Sequence, residues 1–132
     1  MSIDYKVELE FGMVSVRGAT TVRENSKENI LIETEILLKE ILKVNKIEID
    51  DIISCFFTMT KDLDKVYPAV AARKLGIVNA SLMCYDELYI ENSMEKCIRI
   101  MIQFNSNKKQ KDVQHIYMNE AKKLRPDIVR GE

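Results

Sequence analysis

Little in this chain belongs to the usual kit of protein chemistry. There is one histidine, His115, and the three cysteines, Cys55, Cys84 and Cys97, form no CxxC pair. A structural zinc site is therefore not expected, since its ligand sets are built from clustered thiolates and imidazoles. An odd number of thiols within apolar segments points to buried, reduced cysteines in a cytoplasmic setting rather than to a disulfide framework. No apolar run approaches the length of a membrane span, and residues 1–12 carry no apolar core of a signal peptide. No nucleophile–base pair, phosphate-cradling glycine loop or metal cluster is visible, so neither cofactor nor metal is expected. A formal net charge of -1 leaves no strongly basic surface for nucleic acid. The cluster Lys108-Lys109-Gln-Lys111 reads as a solvated loop and helix start.

What is present fits one domain. The chain has 132 residues, 46% of them hydrophobic and 31% charged, enough for an ordinary core under a soluble surface. Residues 3–11 alternate apolar and charged side chains with the period of a half-buried strand. Gly12 bends it, residues 13–17 continue extended, and Gly18 to Ser26 read as a loop. Asn25 and Glu28 are spaced like a capping box ahead of a helix that places Ile30, Leu31, Leu37, Leu38, Ile41 and Leu42 largely on one face and ends near Asn45. Residues 51–59 read as a central strand. Pro68 opens a short helix over 69–75, which Gly76 stops. Two more strands follow, over 81–88 and 97–104. Asp112 then caps a last helix, with Val113, Ile116, Tyr117, Ala121 and Leu124 sharing a face. Pro126 ends that helix, leaving residues 127–132 as a flexible tail. The expected architecture is a mixed α/β (α+β) domain, with a mixed sheet of about five strands packed by helices.

Charges inside strand patterns are costly unless they are paired or face a polar ligand. Arg17 follows one apolar strand, Glu87 closes the stretch that begins at Cys84, and Arg99 sits within Cys97-Ile-Arg-Ile-Met101. Each has a plain explanation. Glu87 and Arg99 can form a cross-strand ion pair on a solvated face, and Arg17, Arg73 and Arg125 can be surface arginines. Tyr117 can be a core tyrosine, and Cys84 a small buried hydrophobe. Together, however, they suggest a pocket for a small charged molecule.

Five blocks occur in order: Val16-Arg-Gly-Ala-Thr-Thr-Val22; Tyr67-Pro-Ala-Val-Ala-Ala-Arg73; Cys84 with Glu87; Lys96-Cys-Ile-Arg-Ile-Met101; and His115-Ile-Tyr-Met-Asn-Glu-Ala121 through Leu124-Arg-Pro-Asp127. From about Met13 to the C-terminus the chain resembles the AroH-class chorismate mutases, small monofunctional enzymes that rearrange chorismate to prephenate. The resemblance implies a pseudo-α/β barrel in a homotrimer with active sites between subunits, no cofactor, and chorismate as the small-molecule partner. It makes Arg17 the grip on a substrate carboxylate, Glu87 the acceptor of the ring hydroxyl, and Arg99 the guanidinium beside the ether oxygen. Tyr117 helps hold a carboxylate and Cys84 lines the pocket. Tyr67, Ala69 and Arg73 form a wall donated by the neighbouring subunit, and Leu124 and Arg125 lie near a C-terminal cover. The chain departs from the pattern at Val70, where relatives often carry lysine, and at Tyr67, where phenylalanine is familiar. Residues 2–12 form an N-terminal extension. Two other classes remain open on the residues alone, a trimeric enamine/imine deaminase-like enzyme and a non-catalytic module that binds aromatic metabolites.

Overall fold

The computed structural model describes residues 12–129, and the alternating segment 3–11 lies outside the described residues. β1 (Gly12–Thr21) is rich in β-branched residues: Val14, Val16, Gly18 and Thr20 are buried on one side, while on the other Met13 and Arg17 are exposed and Ala19 is buried against Tyr117 and Ala121. The strand does not stop at Arg17. It continues through Gly18 to Thr21, in unbroken antiparallel register with β4 (Cys97–Ser106), from Gly12 opposite Ser106 to Thr21 opposite Cys97. Gly18 serves close approach rather than a turn. A Cβ there would lie 2.6 Å from Ile41 Cδ1, 3.2 Å from Leu37 Cδ1 and 3.1 Å from the Ile116 carbonyl oxygen.

Those two side chains belong to α1 (Lys27–Val44), whose buried stripe is Ile30, Thr34, Leu37, Leu38 and Ile41; Leu31 and Leu42 are half-buried beside it. The helix starts one residue later than a cap at Asn25 requires. Ser26 is the N-cap, its hydroxyl accepting from the Asn29 amide at 3.1 Å. Asn25 is engaged elsewhere: its amide donates to Asp64 Oδ1 at 2.8 Å and its carbonyl accepts from the Asp64 amide at 3.1 Å. At the other end Asn45 is the C-cap. Its side chain bridges the Ile41 carbonyl to both main-chain groups of Gln114, tying the helix end to the segment before β5.

β2 (Ile52–Met59) matches the expected central strand, and α2 (Ala69–Lys74) follows Pro68, which pre-sets the helical φ. Gly76, with φ +98°, reverses the chain after it. β3 (Ser81–Asp86) pairs parallel with β2, and β4 pairs antiparallel with both β2 and β1. The last segment departs from the helix its apolar spacing suggests. A 3-10 turn (Gln110–Asp112) leads to β5 (Ile116–Tyr117), then a 3-10 stretch (Asn119–Leu124) and a short α3 (Pro126–Val129), which Pro126 opens rather than ends. The free edge of β1 is the reason: its main-chain groups need partners, and β5 supplies them by pairing parallel at Gly18 and Ala19. The presumed single face is thereby divided. Val113 and Ile116 join the main core, whereas Tyr117, Ala121 and Leu124 pack with Ala19 in a smaller cluster.

The outcome is a single mixed α/β domain with one five-stranded sheet in the order β3-β2-β4-β1-β5. One face of the sheet carries the core, where Val16, Cys55, Phe57, Ile98, Ile100 and Ile102 meet the helices. By register, the other face presents Arg17, Phe56, Thr58, Met83, Tyr85, Arg99 and Met101, most of them half-buried or exposed.

The three thiols are free. Burial pushes the Cys55 thiol up to about 12 and, despite the nearby Arg99, the Cys97 thiol up to about 11. Cys84 is only half-buried. Alkylation of the native protein at mildly basic pH should therefore modify Cys84 first and leave the other two until the chain is unfolded, as peptide mass mapping would show. Equal labelling of all three in the native state would contradict the core placement of Cys55 and Cys97.

Candidate active site

Arg99 lies mid-strand on β4, opposite Ala19 of β1 and Thr58 of β2, so hydrogen-bonded strands on both sides fix its backbone. Glu87 follows β3, and its amide donates to the Met59 carbonyl at 3.0 Å, which carries the β2–β3 alignment one step further. One carboxylate oxygen, Oε1, accepts the Thr58 hydroxyl and faces Arg99 Nε at 3.4 Å. The Arg99 side chain is 46% exposed and that of Glu87 23%. A pair this wet contributes at most ~1 kcal/mol to stability. It does more for geometry, because it fixes one side of a guanidinium that also lines an open cleft. A guanidinium carries five N–H donors, more than this pair uses, so it can also bind an oxygen-bearing ligand.

An open cleft of about 290 Å³ lies here, lined by Arg17, Gly18, Phe56, Thr58, Glu87, Arg99, Ile100, Met101 and Tyr117. Arg17 comes from β1, with Met101 as its neighbour across β4. Tyr117 is buried and sits opposite Ala19 on β5. Two hollows of about 480 and 490 Å³ adjoin the cleft around the loop 87–95. They are larger, but the first is lined by Asp62, Glu87 and Glu95 against one lysine, Lys61, a poor match for an anion. The second brings Leu124 alongside Glu87 and Arg99. The cleft with two guanidiniums is the better anion site, despite its smaller volume.

The structure thus gathers Arg17, Glu87, Arg99 and Tyr117, with Leu124 adjoining. It does not bring the others to this cleft. Cys84 is in register with Phe57 and packs against the main core on the helix side of the sheet. Ala69 is buried in α2, Arg73 is exposed on the same helix, and Tyr67 just before it is 70% exposed. Arg125 makes a two-point ion pair with Asp127, Nε at 3.0 Å and Nη2 at 2.7 Å, which holds its guanidinium above its usual pKa. Two contributors were absent from the sequence reading. Thr58 orients Glu87, and the only available signal was its place on the non-core side of an alternating strand. His115 accepts the Arg17 amide at Nδ1, at 3.0 Å. Among the described residues no three of His, Cys, Asp and Glu converge as a metal site, and no helix is long and apolar enough to cross a membrane.

Two guanidiniums and an oriented carboxylate on the bare side of a mixed sheet give a small α/β protein a cleft whose chemistry suits a compact anion carrying a hydroxyl or similar donor. Comparison with known proteins places it more narrowly. The family model for chorismate mutase type I matches residues 13–128. The chorismate mutase AroH of Bacillus subtilis is 34% identical over 114 residues, which cover 86% of this chain and 90% of that protein. The protein of the same name from Thermus thermophilus is 36% identical over 114 residues, covering 86% of this chain and 93% of its own. Among solved structures, a chorismate mutase from Clostridium thermocellum is 50% identical, with a TM-score of 0.80 over 82% of this chain and 96% of that one. The chain belongs to the type I chorismate mutase family.

Proposed function

We propose that the protein is a chorismate mutase, an isomerase that rearranges chorismate to prephenate in aromatic amino acid biosynthesis. The observation that carries the reading is Arg99, paired with the Thr58-bonded Glu87 in a cleft that Arg17 and Tyr117 also line. The reaction is intramolecular and transfers no proton to the protein, so two tasks remain. The dicarboxylate must be held folded in its reactive conformer, an effect of orientation that falls to Arg17 and Tyr117. Cleavage of the carbon–oxygen bond runs ahead of carbon–carbon bonding, so negative charge grows on the ether oxygen. A guanidinium already fixed there, that of Arg99, stabilises the transition state more than the ground state. Glu87 accepts the ring hydroxyl and favours the electron-poor ring. A million-fold acceleration needs roughly 8 kcal/mol, of which one preorganised donor typically supplies ~2.7–4. The purified protein is expected to consume chorismate without added metal or cofactor and to release prephenate, identified by its acid conversion to phenylpyruvate. A folded protein that leaves chorismate intact at high enzyme concentration would refute the reading.

The working unit we propose is a homotrimer, in the cytoplasm, with each site completed by a neighbour. Within one chain the cleft is shallow, while Tyr67 and Arg73 stand exposed away from it, and Met83 and Tyr85 leave apolar surface on the same bare sheet face. Tyr67, Ala69 and Arg73 then serve the neighbouring subunit's cleft. Mixing inactive Arg73→Ala and Arg99→Ala chains under conditions of proven subunit exchange should restore activity, because some sites would receive both intact halves. No recovery would count against shared sites.

A further inference from the structure

β5 is only two residues long and covers β1 at Gly18 and Ala19 alone. Upstream of that point, side chains take over the work of a strand. The Ser15 amide donates to Gln110 Oε1 at 2.9 Å, and Gln110 Nε2 donates back to the Ser15 carbonyl at 2.7 Å. One step further along the same edge, the Arg17 amide donates to His115 Nδ1 at 3.0 Å. The residue that lends its guanidinium to the cleft is thus tethered through its own backbone to the single imidazole of the chain.

We propose that His115 is a positioning residue for Arg17: as a neutral imidazole with its proton on Nε2, it anchors the Arg17 backbone and so sets where that guanidinium meets the substrate. The proposal rests on the chorismate reading of the cleft. A ring nitrogen can accept the amide proton only while it keeps its lone pair, so an imidazolium would set N–H against N–H and release the strand edge. The charges that bear on the ring come from Arg17 on β1 and from Arg125 beyond the 3-10 stretch, and both are cationic. Burial, then these two guanidiniums, hold the imidazole below its usual pKa. The ring is therefore neutral, and the anchor intact, throughout the neutral range. Because Arg17 grips a carboxylate that is present in substrate and transition state alike, loosening it should weaken binding more than turnover.

Two measurements test this. In protein labelled with ¹⁵N-histidine, the single ring should give the spectrum of the Nε2–H tautomer, with an unprotonated, hydrogen-bonded Nδ1 and a titration midpoint below the ordinary ~6.5. A proton on Nδ1, or a midpoint at or above that value, would overturn the proposal. In steady-state kinetics, His115→Ala should raise KM for chorismate about tenfold while kcat changes less than about threefold. His115→Asn, whose Oδ1 can accept at the place of Nδ1, should recover most of the loss. Wild-type KM should also rise as pH falls through the ring's titration, and that rise should vanish in His115→Asn. A KM unmoved in both variants, or equally raised in both with native-like folding, would refute the positioning role. If His115→Ala does not fold, the tautomer and the His115→Asn profile still decide. If the wild type fails to convert chorismate while the ring shows the expected tautomer, the proposed reaction is wrong and the anchor stands.

Discussion

Replacing Arg99 by alanine is expected to lower kcat about 100-fold or more and to leave the fold intact. The expected size follows from the site: no other guanidinium from β4 reaches the cleft, and this one is oriented there by Glu87. The fold should tolerate the change because the side chain is half in water and contributes nothing to the core cluster. Glu87 would lose a weak partner but keep the Thr58 hydroxyl, so the stability change should stay within about 1 kcal/mol. Steady-state kinetics beside thermal unfolding measure both quantities. A near-native kcat with only a raised KM would show that Arg99 binds substrate and takes no part in stabilising the transition state.

Gly18→Val should be the most damaging single change to the scaffold. The added Cβ alone would sit 2.6 Å from Ile41 Cδ1 and 3.1 Å from the Ile116 carbonyl oxygen, so either α1 lifts from the sheet or β5 moves off β1. Overpacking of this kind typically costs ~1–3 kcal/mol, and here a backbone oxygen, which cannot swing aside, is one of the obstacles. In a chain of this size that corresponds to a fall in Tm of roughly 5–15 °C. Gly12→Ala is the matched control. Among the described residues its Cβ would meet only the Ser106 carbonyl oxygen, at 4.0 Å, and the effect should stay within about 0.5 kcal/mol. Equal melting temperatures for wild type and Gly18→Val would mean that α1 does not press on β1 as described.

The elements legible from sequence were those whose cause is local. The stripe of α1, the apolar run of β2 and the Pro68-to-Gly76 frame of α2 each follow from a repeat or a backbone preference a few residues long. The misread elements depend on partners remote in sequence. Gly18 has the local character of a breaker, yet it lies inside β1 because Leu37 and Ile41 need the space a side chain would fill. Residues 113–124 have helical spacing, yet they serve the open edge of β1, where Met118 donates to the Ala19 carbonyl at 2.9 Å. Asn25 has the right offset for a cap, but Asp64, from beyond β2, takes its side chain.

The site divides along the same line. The amino-acid sequence by itself determined which chemistry was possible: the ordered blocks around Arg17, Glu87, Arg99 and Tyr117 carried the family and its reaction, because those side chains must be present whatever surrounds them. Only the tertiary structure decided their company. Strand order puts Arg99 beside Thr58 and Ala19, the turn after β3 brings Glu87 onto Arg99, and the edge of β1 draws in His115. It also turned Cys84 toward the helices, since register with Phe57 assigns a side to every residue of β3. Side-chain identity travels with the chain, whereas a side chain's neighbours are set by pairing between strands far apart in it.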